Sequence, residues 1–113
     1  ADSRPRFAIG DGSLHYERLT TDLPGGMLSA LVIHVPPGYA SEVMSHPGEE
    51  VVVVLEGQLS QTLGGTEMLL GPGDSLHFMG DTPHAFANVG ESPVRLLWTG
   101  TSTRLIGRPH EQP

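Results

Sequence analysis

Glycine and proline interrupt this 113-residue chain so often that long helices have almost no room to form. The sequence holds 15 glycines and 10 prolines, and its longest stretch without either is Ser13–Leu23. Proline breaks a helix interior and glycine weakens it, so only short elements are expected between these residues. The intervening segments are rich in valine, leucine, threonine and aromatic residues, many of which favour strands. The pattern therefore predicts an all-β protein.

Eight segments between the glycines and prolines are predicted strands: Leu14–Thr20, Met27–Val35, Glu50–Glu56, Gln58–Leu63, Thr66–Leu70, Ser75–Met79, His84–Val89 and Val94–Thr99. The pair Gly64-Gly65 separates two of them and is typical of a β-hairpin turn. Strands of this length and spacing indicate a small antiparallel β-barrel or sandwich. We expect one domain over residues 1–113, with a core at about 14–106 and flexible ends at Ala1–Arg6 and Gly107–Pro113.

Composition excludes several classes of function. The chain has no cysteine, which removes disulfide scaffolds, thiolate zinc sites and thiol catalysis. It carries 13 acidic and 6 basic residues, a net charge of −7, so this domain by itself is not expected to bind nucleic acid. No apolar run approaches the roughly 18 residues of a membrane helix, and we expect a cytoplasmic protein without a membrane partner.

One predicted strand is apolar on both of its faces. The run Val51–Leu55 contains no polar residue, so neither face is expected to meet water. In a small barrel one face points inward, and the other needs a neighbouring sheet, the N-terminal arm or a second subunit. We therefore expect a homodimer in which the outward valines, Val51 and Val53, either join the interface or lie under another sheet of the same chain.

Three potential metal ligands, His46, Glu50 and His84, lie at the borders of predicted strands. His46 precedes Glu50 by four residues across the turn Pro47-Gly48, and His84 opens a later strand. Two imidazoles and one carboxylate suit divalent Fe, Mn, Ni or Zn and leave coordination positions open. From spacing alone, the alternative of turn histidines and a capping glutamate without metal also stands.

Other histidines and the aromatic residues give weaker signals. His34 lies on a predicted strand and is interpreted as structural, whereas His77 alternates with apolar neighbours and is expected to be exposed. The aromatic residues Tyr39, Phe78, Phe86 and Trp98 are candidates either for a pocket or for the core. Among them, Phe86 is the one we assign to a ligand pocket.

The segment Gly38–Asn88 resembles the paired signature of the cupin superfamily. The first family motif is Gly, five residues, His, one residue, His, three or four residues, Glu, six residues, Gly. Its positions here are Gly38, Met44, His46, Glu50 and Gly57. The second motif runs Gly, five residues, Pro, one residue, Gly, two residues, His, three residues, Asn, and its positions here are Gly73, Met79, Asp81, His84 and Asn88. The resemblance implies a cupin barrel of the jelly-roll type.

This resemblance also implies a site, with one departure. Three of the family's four ligand positions hold His46, Glu50 and His84, and Met44 stands at the first histidine position. Methionine is a soft ligand that Zn, Ni, Mn or Fe would not select, so the implied metal set is reduced to three residues. Two alternatives follow: one divalent ion held by the triad, or no metal and a polar pocket in which Met44, the triad and Phe86 contact an organic ligand.

A narrower resemblance points to a function. The strings His46–Glu50, Leu55–Gly57, Leu63–Gly65, Gly71–Ser75 and Pro83-His84 are similar to the C-terminal cupin domain of helix-turn-helix transcriptional regulators of the XRE type. This implies a bacterial effector-binding and dimerisation domain, with DNA contacted only by a separate helical domain not recognisable in this sequence. The alternative is a stand-alone metal-dependent enzyme, a dioxygenase or an isomerase, and a plain binding barrel also remains open.

The expected effector follows from charge. No lysine or arginine lies between Leu19 and Val94, whereas nine carboxylates do. A pocket within this span is expected to prefer a neutral or cationic small molecule, unless a bound metal recruits an anion.

Overall fold

Two antiparallel sheets pack against each other in the computed structural model, which describes residues 6–9 and 14–101. Nine strands form within these residues, and no helix is present among them: β1 (Arg6–Ile9), β2 (Leu14–Arg18), β3 (Ser29–Val35), β4 (Glu49–Glu56), β5 (Leu59–Leu63), β6 (Thr66–Leu70), β7 (Ser75–Met79), β8 (His84–Ala87) and β9 (Val94–Gly100). The larger sheet has the order β1-β2-β3-β9-β4-β7, and the smaller one has the order β6-β5-β8. The all-β prediction is confirmed.

The eight predicted strands all occur, with ends shifted by at most two residues. Strand β1 was not predicted, because four residues between a proline and a glycine carry too little pattern to be recognised. Its pairing with the edge strand β2 is a long-range contact that local sequence does not encode. Arg6, expected in a flexible end, therefore begins a strand, while the rest of that end and the segment Gly107–Pro113 lie outside the described residues.

The hairpin predicted at Gly64-Gly65 connects β5 and β6. Leu63 pairs with Thr66, so the loop has two residues. Both glycines have positive φ, 55° and 86°, which is the conformation of a type I′ turn and the one that matches strand twist. The prediction of this turn is confirmed.

The core lies between the inner faces of the two sheets. Alternate residues of each strand point into it, as the period of two requires. The larger sheet contributes most of the buried apolar side chains, including Leu31, Ile33 and Trp98, and the smaller sheet contributes Leu59 and Leu70. Strand β4 follows the same alternation: Val52 and Val54 are buried.

On the outer face of β4, Val51 and Val53 are half-buried rather than fully covered. Val53 pairs in register with Leu97, which is itself half-buried. The expectation that neither face of this strand meets water is therefore met only on the inner side. The outer side remains a partly exposed apolar surface in the single chain.

A segment without regular strand structure carries the first part of the predicted site. Residues 38–44 run antiparallel to β8, joined to it by the isolated bridges Ala40↔Ala87 and Met44↔His84. Backbone hydrogen bonds between Met44 and His84 run in both directions, at 2.7 and 2.9 Å. Near the other end of this segment, Asn88 is buried, and its side-chain amide donates to the carbonyls of Val35 and Ser92. These contacts fix the segment beside β8, at the edge of the smaller sheet.

Candidate metal and ligand site

Three elements bring His46, Glu50 and His84 together at one end of the barrel. Glu50 is the second residue of β4, His84 opens β8, and His46 follows the segment bridged to β8. One ligand atom from each of the three residues lies within 4.8 Å of the others. Glu50 and His84 are buried, and His46 is half-buried. The structure thus brings together the three residues that the sequence singles out as potential metal ligands.

The hydrogen bonds of the two imidazoles fix their tautomers. Nδ1 of His84 lies 2.8 Å from the carbonyl oxygen of Thr82, and Nδ1 of His46 lies 3.1 Å from that of Pro47. A carbonyl oxygen only accepts, so each Nδ1 must carry the proton and donate it. In the neutral imidazole, Nε2 then has a free lone pair, and these two atoms face Glu50.

The two carboxylate oxygens of Glu50 have different neighbours. Oε1 accepts a 2.6 Å hydrogen bond from Nε1–H of Trp98. Oε2 lies 2.6 Å from Nε2 of His46 and 3.3 Å from Nε2 of His84. Neither contact has the alignment of a hydrogen bond, so within the part of the chain that the structure describes Oε2 is a buried oxygen without a donor. Buried polar atoms are almost always paired, and this exception marks a place for a further atom.

Burial and direct contacts shift the pKa values of Glu50 and His84. Burial raises the pKa of Glu50, but the contacts from His84 and Trp98, and the positive charge of the imidazoles when they are protonated, together lower it by more, so that the net shift is downward. The interaction with Glu50 raises the pKa of His84 above its usual value, against the opposing effect of burial. The carboxylate is thus ionised near neutrality, and the site attracts a cation, either a proton on His84 or a metal ion.

The donor set fits a divalent metal. Two imidazole nitrogens with lone pairs and one buried, donor-free carboxylate oxygen converge, and each imidazole is oriented by a hydrogen bond from its other nitrogen to a backbone carbonyl. These are ligands that Zn, Fe, Mn or Ni accept. His46 Nε2, His84 Nε2 and Glu50 Oε2 would hold such an ion.

The other two residues assigned to a ligand lie beside the triad. Met44 forms an isolated antiparallel bridge with His84, so the two side chains point to the same side of the paired backbones. Phe86 lies two residues after His84, on the same face of β8, and its ring centroid is 5.7 Å from that of Tyr39. Of the residues given weaker roles, His77 is exposed, as predicted, and His34 lies on the outer sheet face with Nε2 2.7 Å from Glu17.

Three residues that contribute to the site were not predicted to do so. Gly80 lies against His46, where a Cβ atom would come within 2.8 Å of the imidazole ring, so only glycine leaves room for it. Trp98 was considered only as core or pocket lining, although it is the donor to Glu50. Gln61 is buried on the inner face, opposite Phe86 in register, with its amide donating to the carbonyl of Ala85. Gln61 lies two residues from both Leu59 and Leu63, so all three point to the same face of β5. This spacing was the sequence signal that could have identified Gln61 as facing inward.

Residues 31–100 match the family model described as "Cupin domain". The sequence is 31% identical over 81 residues to the HTH-type transcriptional regulator PuuR of Escherichia coli. This alignment covers 71% of the chain and 44% of PuuR, so the chain spans less than half of that regulator. No helix among the described residues is long and apolar enough to cross a membrane.

Solved structures of similar fold come from proteins of different kinds. The cupin domain of an XRE family transcriptional regulator from Enterobacter cloacae superposes with a TM-score of 0.74 at 28% identity, covering 81% of this chain and 99% of that one. A sugar phosphate isomerase of the cupin superfamily from Silicibacter pomeroyi gives 0.74 at 26% identity, over 90% and 73% of the two chains. The structure of FeII HppE gives 0.74 at 26%, over 88% and 57%.

The antiparallel double sheet, the motif positions and the matched family model lead to the same result. The chain belongs to the cupin family.

Proposed function

We propose that this chain is the effector-binding and dimerisation domain of a bacterial transcriptional regulator. In this proposal His46, Glu50 and His84 anchor a small molecule at the mouth of the barrel. The observation that carries the proposal is the buried Oε2 of Glu50, which faces two imidazole nitrogens and has no hydrogen-bond donor among the described residues. Such a site is complete only when something else binds. The likeness to PuuR and to the Enterobacter cloacae regulator domain supports a sensor that acts in the cytoplasm.

A divalent ion is the proposed anchor for the effector. Its role would be to neutralise Glu50 and to offer open coordination positions to a donor atom of the ligand. Met44 and Phe86 would line the space around that donor. DNA would be contacted only by a separate helix-turn-helix domain. Without the metal, the acidic interior favours the neutral or cationic effector expected from the sequence.

An enzyme is the second candidate. The isomerase from Silicibacter pomeroyi and the iron form of HppE have the same fold, and the open triad here has the ligand types of a metalloenzyme. A dioxygenase or isomerase would use the same three ligands. Turnover of a bound ligand, rather than binding alone, distinguishes this function from sensing.

Dimerisation is proposed through the outer face of the larger sheet. Val51, Val53 and Leu97 form a half-exposed apolar strip on neighbouring strands β4 and β9. A second copy of the chain packed against this strip would remove it from water, at a gain of about 25 cal/mol per Å² of apolar area. The strip lies opposite the ligand site across the sheet, so both can be occupied together.

Effector binding is tested by thermal denaturation with a panel of metabolites. A compound that binds the folded state at about 100 times its Kd stabilises the protein by about 2.7 kcal/mol and raises the midpoint. Glu50→Gln should abolish the shift, because it removes the charge that anchors the metal, whereas Glu67→Gln on the edge strand β6 should leave it intact. A broad panel without any shift in the metal-loaded protein contradicts the proposed sensing.

Metal binding is tested by restoring the family residue. Met44→His should increase the affinity for zinc, since position 44 lies on the face of His84 and an imidazole adds a fourth suitable ligand. Met44→Leu should leave the affinity unchanged, because the thioether does not coordinate. Equilibrium dialysis with metal analysis measures both. If neither the wild type nor Met44→His retains metal near neutral pH, the triad is not a metal site.

The stabilisation by zinc should grow with pH. In the metal-free protein the raised pKa of His84 means that its charged form contributes stability below pH 6.5, the ordinary histidine value, and that this contribution is lost as the pH rises through the raised value. Zinc competes with that same proton. Denaturation midpoints with and without zinc, measured from pH 5.5 to 8.5, should diverge as the pH increases. A constant difference, or one equally present in His84→Gln, contradicts this prediction.

The dimer is tested by sedimentation at micromolar concentration. We expect twice the chain mass of 12.0 kDa. Val53→Asp should give the monomer, because it places a charge in the apolar strip, and Leu69→Asp, at an exposed residue of the smaller sheet, should leave the dimer intact. Circular dichroism confirms that each variant is folded. A wild-type protein that sediments as a 12.0 kDa monomer rules out the proposed dimer.

A further inference from the structure

Arg18 lies on the inner face of the larger sheet, at the same end of the barrel as the triad. It pairs with the core residue Leu31, which in turn pairs with Trp98, and paired residues of antiparallel strands point to the same side. The loop after β2 leads into Ser29, which is paired with Gly100, and Gly100 is paired with Glu50. This loop and the triad are therefore at one edge of the sheet.

The guanidinium of Arg18 is only partly satisfied. One terminal nitrogen contacts Asp22 at 2.5 Å, and Asp22 is 89% exposed. The Nε atom is buried and has no hydrogen-bond acceptor among residues 14–101. The other arginine whose side chain the structure describes, Arg95, differs on each point: it belongs to the outer face, pairing with His34, and its Nε contacts Glu56 at 2.6 Å. A buried, unpaired N–H is costly, and a carboxylate is the partner that guanidinium matches best.

The distance across the mouth suits a small molecule. Neighbouring strands are about 4.8 Å apart, so the Cα atoms of Arg18 and Trp98, two strands away from each other, are separated by roughly 10 Å. Trp98 contacts Glu50 directly. Glu50 lies one strand further away, on β4, so its backbone is roughly 14 Å across the sheet from that of Arg18. The two side chains and a molecule a few carbon atoms long can span this distance together.

The charge at this opening also favours an anionic ligand. A divalent ion held by one carboxylate and two neutral imidazoles keeps one net positive charge, and Arg18 adds a second cation at the same opening, partly offset by Asp22. Together they attract an anion, although the chain as a whole is acidic. The neutral or cationic preference expected from the sequence rests on the interval after Leu19, and Arg18 lies just outside that interval.

We propose that the ligand of the metal-loaded site is a small carboxylate, bound by Arg18 through its carboxylate group and by the triad-held metal through a second donor atom. This inference rests on the proposed function and specifies its ligand class. Asp22 is the internal competitor: it contacts one terminal nitrogen of the guanidinium, so the ligand carboxylate has to displace it or bind beside it.

The test uses three matched series of probes on the zinc-loaded protein: α,ω-dicarboxylates from malonate to adipate, and the diols and diamines of equal chain length. Isothermal titration calorimetry gives the Kd of each. At least one dicarboxylate should bind more tightly than its diol and diamine counterparts. Arg18→Gln should weaken that binding about ten-fold or more, because a charge-assisted hydrogen bond is lost, without changing the zinc affinity.

Two further variants keep the result interpretable. Asp22→Asn, at an exposed loop position, should strengthen dicarboxylate binding by about two- to five-fold, since it removes the competitor, and it carries the test if Arg18→Gln does not fold. Arg95→Gln, on the outer face, should change nothing.

The outcomes separate this inference from the proposed function. If the wild type and Arg18→Gln bind dicarboxylates with equal affinity, the role of Arg18 is overturned. If Arg18→Gln is unfolded, equal affinity in the wild type and in Asp22→Asn overturns it instead. Binding of diols or diamines without dicarboxylates overturns the ligand class and leaves the sensing proposal standing. Failure to bind zinc refutes the metal anchor. In that case the dicarboxylate affinity of the zinc-free protein must fall by the same factor, about ten-fold or more, from the wild type to Arg18→Gln. If no member of the three series binds, the ligand class is overturned, and the broad metabolite panel decides the sensing proposal separately.

Discussion

The burial of one carboxylate, that of Glu50, determines how this end of the barrel is built. An ionised group removed from water is costly unless every lone pair finds a partner. Trp98 provides one donor from the neighbouring strand, and His46 and His84 bring two imidazoles to the remaining oxygen. Both Nδ1–H groups donate hydrogen bonds to backbone carbonyls, so Nε2 of His46, Nε2 of His84 and Oε2 of Glu50 carry lone pairs directed at one another. Only a cation, a proton or a metal ion, relieves their mutual repulsion.

The rest of the structure holds this arrangement in place. Segment 38–44 is bridged to β8, so the positions of His46 and His84 depend on the same backbone hydrogen bonds. Gly80 packs against the His46 imidazole with no room for a side chain, and its backbone hydrogen-bonds to those of His46 and Gly48. Rigid placement of ligands by packing lowers the ordering cost of binding. A site of this kind is suited either to sensing or to catalysis.

The strands and the triad could be predicted because they are encoded locally. Gly64-Gly65 specifies a hairpin by its own conformational freedom, and the spacing of His46, Glu50 and His84 is a family pattern. The contacts that depend on register were missed. Trp98 follows Glu50 by 48 residues, and only the pairing of β4 with β9 shows that its indole reaches the carboxylate. Arg18 likewise appears on the inner face only when β2 is aligned with β3, and β1 appears only by its pairing with β2.

The most direct test of the central claim is the protonation state of the two imidazoles in the zinc-loaded protein, measured by long-range ¹H–¹⁵N NMR correlation. His46 and His84 are both expected to carry a proton on Nδ1, and Nε2 of each is expected to show the shift of a metal-bound nitrogen, with His77 unchanged as an internal control. Nε2–H tautomers, or spectra of His46 and His84 that zinc does not alter, would contradict the claim.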